Sequence, residues 1–355
     1  MKKYLLLIIL VFFTKTPLFA QFGGGTGTQT APYLIYDKSH LQEMADSAKA
    51  DDMKPIGSIK WANGKHFRLA QDIDNVTQRV TINSLFTHNG GFHGGGNKIT
   101  VAMHHILYVN SNGSLFGQAY GTYDSLIVDG YIIDGYAGIV YGVNAAAWDN
   151  SYPASVVSNS TSNVIINAIG GAGGIARSNR GTVINCVNNG SIDGKNGIGG
   201  IVGSNENEGI VINCLNTGRI TATNSGSNVS SIIGNPTSSN GVGGIIGYTG
   251  NGCKSIFGNI NTGTIEGQGM VGGIIGTLGG SFMATPVINN FNYGFVKGIN
   301  KVGGIVGWCS RTAGIVSNNF NSGVVVGGED TGCIVGKNEG SNISNNHYDK
   351  QMCGE

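Results

Sequence analysis

Charge is the first thing this sequence is short of. Asp, Glu, Lys and Arg make up 12% of the chain, and 21 basic against 20 acidic residues leave a formal net charge of +1. That balance offers no basic field for nucleic acid and no acidic tail. Proline is scarce as well, at 6 in 355 residues. Beyond the N-terminus Gly, Asn or Ser interrupts every apolar run, so no later segment reads as a membrane span. The six cysteines, Cys186, Cys214, Cys253, Cys309, Cys333 and Cys353, include no C-x-x-C pair, and their spacings match no zinc pattern. What is abundant is glycine, 61 residues, together with regularly placed Ile and Val. The β-branched content argues against disorder, and the glycine content against an ordinary pair of globular domains.

The one uninterrupted apolar run sits at the start. Lys2 and Lys3 precede Leu5 to Phe13, and the segment closes on Leu18-Phe19-Ala20 before Gln21. A basic head, a short apolar middle and a small final residue describe a secretory signal peptide over 1–20. The run falls short of the ~20 residues that a spanning helix needs, which makes a permanent anchor the lesser alternative. The mature chain is expected to begin at Gln21 and to be exported, to the extracellular space or the outer cell surface.

A repeat dominates the rest. Gly173-Gly174-Ile175 recurs at Ile201, Ile245, Ile274 and Ile305, and as Gly332-Cys333-Ile334, with intervals of 26, 44, 29, 31 and 29 residues. Between these anchors lies a second one, Asn-x-Gly, beginning at Asn188, Asn216, Asn261, Asn292 and Asn321. No unit has apolar surface enough to close a core alone, and no helical period is convincing after residue 100. Stacked turns of parallel strand answer both problems, since each turn pairs with the next at ~4.8 Å and like residues pile up inside. The fold class expected is all-β, a right-handed parallel β-helix with a short N-terminal α/β cap. Ile175, Ile201, Ile245, Ile274, Ile305 and Ile334 would form an inner stack, the five asparagines a hydrogen-bonded ladder, and the glycines the corners where φ is positive.

Degenerate copies precede the clear ones, at Gly113 to Gly117 and Ala137 to Gly142. Residues 21–91 read as a cap with opening strands, 92–355 as the β-helix, and about 221–242 as a Ser/Asn-rich insertion. Within the cap, Ser39 with Gln42 fits a capping box ahead of Leu41, Met44, Ala45 and Ala48 at helical spacing.

Gly199 to Gly203 and Ile184 to Ile192 resemble the GLUG motif, which occurs in tandem in bacterial surface proteins. Pro32-Tyr33, Leu41, Asp72-Ile73-Asp74, Phe92, Gly94 and Leu115-Phe116-Gly117 are similar to the lead-in common in that family. The resemblance covers roughly 31–355. It implies a parallel β-helix in exported adhesin-like proteins, some of them fused to proteases, and it implies no catalytic residue, because the motif is architectural.

Chemistry is hard to find in the pattern. Glycoside hydrolysis needs two carboxylates facing one bond, yet Asp193, Glu266 and Glu329-Asp330 follow their Asn-x-Gly turns at different offsets. Asp124, Asp129 and Asp134 match no strand period and read as solvated. His88, His93, His104 and His105 lack a ligand partner at suitable spacing and read as surface histidines. No cofactor and no metal is implied, and the chain is expected not to be an enzyme. A structural or adhesin-like protein with an extended binding face is the leading reading. A carbohydrate-binding module is the alternative, and a polysaccharide lyase or glycoside hydrolase the weakest. Partners would be a surface glycan or protein. The weak binding candidates are Tyr131, Tyr136, Tyr141 and Trp148, in a Tyr-rich stretch that would bind sugar only if exposed and coplanar.

Two expectations concern the ends and the thiols. Cys186 and Cys214 hold equivalent places and should stand on adjacent turns as free thiols, with the other four cysteines unpaired as well. Nothing after the last repeat has the length to cap the C-terminal turn, so self-association through that end, or continuation into a longer protein, is expected.

Overall fold

The computed structural model describes residues 22–52, 61, 63–80, 90–104, 112–145, 154–223, 241–280, 284–310 and 314–353. Its strands form three parallel sheets of 11, 15 and 14 strands. Neighbours within a sheet are one whole turn apart in sequence: Val156–Ser158 pairs with Thr182–Ile184, which pairs with Ile210–Ile212, which pairs with Ser255–Phe257. This is a parallel β-helix.

One turn shows why the residues fold this way. Thr182–Ile184 lies in the first sheet, and the chain corners at Asn185. Val187–Asn188 and Ile192–Gly194 follow in the second sheet, and Gly197 makes the next corner. Ile198–Gly199 and Val202–Asn205 form the third sheet, with a bend between them at Gly200-Ile201. Alternate residues point inward, so Val183, Ile192 and Ile201 meet in the core, each with at most 1% of its surface exposed.

Glycine holds only some of the positive-φ corners, such as Gly197 and Gly258, and asparagine holds most of those between the first two sheets. Between the first and second sheets the left-handed residue is Asn159, Asn185, Asn213, Asn289, Asn318 and Asn345, with φ between 49° and 55°, while Ser125 at 54° and Gly258 at 68° hold that place in two other turns. Asn tolerates that region because its short side chain bonds locally. The Gly-Gly-Ile glycines lie outside the left-handed region and serve close approach instead. A Cβ added to Gly200 would stand 2.5 Å from Asn216 Cγ. The two anchors of the repeat therefore touch across the core, and only hydrogen fits between them.

Two asparagine ladders run along the inside. Asn188, Asn216, Asn261 and Asn292 each pass an Nδ2–H to the Oδ1 of the next, the last bond ending on Asn321, at 2.7–2.8 Å. A second ladder, Asn259 to Asn290 to Asn319 to Asn346, repeats the bond at 2.9–3.0 Å. In earlier turns that second column is held by Cys214 and Cys186, which stand on adjacent turns as free buried thiols. Burial pushes the Cys214 thiol well up.

The ends correct three expectations. The helix α1, Lys38–Asp52, is capped by Asp37, whose carboxylate accepts from the backbone N–H of Ser39 at 2.9 Å and of His40 at 3.0 Å, so no Ser39–Gln42 box forms. Four cysteines are free, not six, because Cys333 and Cys353 form a disulfide with Cα atoms 5.4 Å apart. The Gly that Cys333 replaces is the one that faces the asparagine ladder in other turns. A 3-10 turn, Lys350–Met352, brings Cys353 back over that spot, with its Sγ 4.0 Å from Asn321 Nδ2. The ladder is thus covered at its C-terminal end, although the outermost strand Glu329–Gly332 stays largely exposed and polar. Of the insertion, Thr221 and Ala222 belong to a strand and Val242 begins another, while 224–240 lies outside the described residues.

Candidate functional site

The outer surface of the third sheet carries the candidate site. After the Gly-Gly-Ile bend each turn sends one side chain outward: Ser178, Ser204, Tyr248, Thr277, Trp308 and Lys337 stand in register. At the corner just before this sheet, a second column runs Gly171, Gly197, Gly241, Met270, Lys301 and Asp330. In the last three turns the second column roofs the first. Thr277 Oγ1 lies 3.3 Å from Met270 Sδ, Lys301 Nζ sits 4.3 Å over the Trp308 ring, and Asp330 pairs with Lys337 at 3.3 Å.

In the earlier turns no described side chain of this column forms a roof, because glycine stands at 171 and 197. A cleft of about 200 Å³ opens there, floored by Ser204 and Gly197 and walled by Tyr136, Arg177, Asn196 and Tyr248. The Arg177 guanidinium lies over two rings, 4.9 Å from the centroid of Tyr136 and 5.6 Å from that of Tyr141. It makes no hydrogen bond or ion pair with any described residue. Glu206, at the rim, is tied to Arg180 at 3.3 Å. Ser204 Oγ is shielded from solvent and has no hydrogen-bond partner among the described residues.

The expected tyrosine row therefore splits. Tyr136 lines this cleft and Tyr141 reaches it only through its contact with Arg177, but Tyr131 sits on the second sheet with 42% of its surface exposed. Tyr123 is fully buried in the core. Among the described residues no coplanar row forms, since Tyr123, Tyr131 and Tyr136 fall on three different sheets. Trp148 lies outside the described residues.

The carboxylates and histidines are arranged otherwise than as free surface groups. Asp129 pairs with Lys98 at 3.3 Å and Glu266 with Arg219 at 2.8 Å. His93 is half-buried rather than a surface residue, and its Nε2 lies 3.1 Å from Nδ1 of the buried His66, the two rings stacked with centroids 5.4 Å apart. Burial lowers the His93 pKa, against the raising effect of Asp124 on the next turn. Burial pushes Asp124 itself upward, but hydrogen bonds from Ser158, Asn159 and Ser125 outweigh it and leave its pKa lowered. His104 is exposed, and His88 and His105 lie outside the described residues. Among the described residues no three His, Cys, Asp or Glu side chains converge as a metal site would require.

No family model matches the chain, and no curated protein matches it. Among solved structures it is similar to a "putative immunoglobulin A1 protease from Bacteroides ovatus", with 17% identity and a TM-score of 0.52 over 92% of this chain and 87% of that one. The two share a fold. At that identity the likeness extends to architecture alone, yet it corrects one expectation. The chain was read as no enzyme because its repeat is architectural, and a neighbour of the same architecture is described as a protease. The architecture is therefore no ground for excluding catalysis.

Arg177, Ser204, Glu206 and Tyr248 escaped the sequence reading. A signal for them existed in the repeat. Three residues after each anchor isoleucine comes the outward column, and four residues before it comes the roof column. Aligning the copies at those offsets separates Gly171, Gly197 and Gly241 from Met270, Lys301 and Asp330.

Proposed function

We propose that this chain is an exported, adhesin-like β-helix that presents its long outer face as a binding surface for a surface glycan or protein. The observation that carries the reading is the unroofed cleft on the third sheet, set on backbone that is hydrogen-bonded from turn to turn. Such a scaffold holds its outward columns rigid, so a ligand meets side chains already in place. The basic-apolar pattern of residues 1–20 and the GLUG-like repeats support export, as does a disulfide at the C-terminal turn, since disulfides persist in oxidising compartments. Labelled protein from Gln21 to Glu355, applied to a glycan array and to immobilised extracellular-matrix proteins, tests the reading. Saturable binding to one class of surface is expected. Equal, non-saturable retention on every surface would overturn it.

A further inference from the structure

We propose that the cleft over Gly171 and Gly197 binds one carboxylate-bearing sugar residue of an acidic glycan, with Arg177 receiving the carboxylate. The proposal rests on the binding-face reading above and names the ligand class. Three observations carry it. The first is charge. The Arg177 guanidinium has no anionic partner among the described residues, whereas Glu206 beside it is already neutralised by Arg180 at 3.3 Å. A cation held without a counter-ion at a cleft wall attracts an anion. Arginine's planar fork suits a carboxylate in two parallel hydrogen bonds. The Tyr136 and Tyr141 rings fix that plane, through cation–π contacts at 4.9 and 5.6 Å, without using its donors.

The second observation is the shape. At about 200 Å³ the cleft is smaller than the ~300–1,000 Å³ of pockets that enclose a drug-sized ligand, so it admits one ring while the rest of the chain lies outside. The third is the remaining polarity. Ser204 Oγ has no hydrogen-bond partner among the described residues, and Asn196 brings an amide to the same wall. A shielded hydroxyl and an exposed amide beside the tyrosine rings Tyr136 and Tyr248 match a sugar, with hydroxyls at its edge and C–H groups on its face. A peptide carboxylate would satisfy Arg177 but leave Ser204 Oγ and the second ring unused, which favours the glycan.

The fold supplies its own blocking variant. Gly197 has φ 63°, and Met270, in the same column, carries a side chain at φ 55°. Gly197→Met should therefore fold and roof the cleft as Met270 roofs Thr277. Calorimetric titration of residues 21–355 with galacturonate trimers, mannuronate trimers and sialyllactose, against the uncharged galactose trimer and lactose, reads the result. At least one acidic probe should bind, its neutral counterpart about tenfold or more weaker, as a charge-assisted pair implies. Arg177→Gln should erase that preference and Gly197→Met should abolish binding, with thermal melts showing both variants folded. Equal binding of acidic and neutral probes, or unchanged affinity in both variants, overturns the cleft while leaving the binding face standing. A failure to bind any acidic probe also overturns the cleft. Silence on the glycan and matrix arrays as well overturns both readings.

Discussion

The two halves of the solenoid share one register and are held together differently. On the first sheet the inward column reads Phe67, Phe92 and Tyr123 in the early turns, then Val157, Val183, Val211, Ile256, Val287 and Val316. The early turns fill their core with rings, Phe92 and Phe116 at 5.0 Å and Phe116 and Tyr123 at 5.2 Å, under an aromatic cap of Phe22, Tyr33, Trp61 and Phe67. The later turns use smaller β-branched residues and give the freed space to asparagine ladders. Ladders demand sameness, because each amide needs its like above and below. Ring packing does not, and the half without ladders is where the histidine pair and the Arg177–Tyr136 contact lie. Regularity stabilises the stack; departures from it create places for a ligand.

The comparison breaks most sharply at the core of the regular half. Ile274 is fully buried in the middle of its column. Ile274→Asp forfeits that burial, worth about 1.5–3 kcal/mol, and leaves a carboxylate without a partner at a further cost of several kcal/mol. Loss of cooperative folding, followed by circular dichroism in urea, is expected. An unchanged melt would mean the column is not the core.

The ladder comes next. Asn261 accepts from Asn216 and donates to Asn292 and to the Gly263 carbonyl. Asn261→Ala orphans buried groups on both sides, at about 1–3 kcal/mol each. Asn163 makes a similar bond to Asn189 at 2.9 Å, but on the exposed side of the second sheet. Asn163→Ala should cost about 0.5 kcal/mol or less. Equal losses from the two would show that the inner ladder contributes no more than a surface bond.

The C-terminal turn offers a smaller and more local effect. Its disulfide closes a loop of 20 residues, for which chain entropy gives about 3 kcal/mol. Because a solenoid turn rests only on its neighbour, Cys353→Ser should show as faster amide exchange over Val335–Asn338 with the central turns unaffected. Thiol titration of denatured, unreduced protein should count four free thiols; six would show that the bond does not form.

How far the sequence foretold this follows from sequence distance. The inner stack and the first ladder recur at the same offset in every copy, so the copies themselves display them. The left-handed asparagines recur almost as regularly, three residues before four of the five ladder asparagines, as Asn185 does before Asn188, with Gly258 in that place before Asn261. They were passed over because positive φ was assigned to glycine alone. The cleft was less accessible. Tyr136 and Arg177 are 41 positions apart and meet only once the register of degenerate and regular turns is known, and its space comes from what Gly171 and Gly197 omit. Cys353 lies beyond the last repeat unit, so no copy shows what it pairs with.

The smallest effect belongs to the irregular half and depends on pH. His93 is packed against His66 and faces Arg68 on one side and Asp124 on the other. Burial, with help from Arg68, holds its pKa below the usual histidine value, against the opposing pull of Asp124. The unfolded chain thus takes up a proton near pH 6.5, before the folded chain does. Stability from this site is complete at neutral pH and declines as the pH falls below about 6.5 toward the lowered folded value. Asp124 acts in a separate window, since its depressed pKa stabilises the fold above about pH 3.9 and loses that contribution only in stronger acid. His93→Gln removes the first slope and leaves the second. Urea melts of wild type and variant at pH 7.5, 6.5, 5.5 and 4.5 should therefore converge on the acid side of pH 6.5, by a fraction of a kcal/mol because the ring is half in solvent. Parallel curves over that range would mean that the two stacked imidazoles share a proton as readily folded as unfolded. The ring-packed half would then be as indifferent to acid as the asparagine-laddered one.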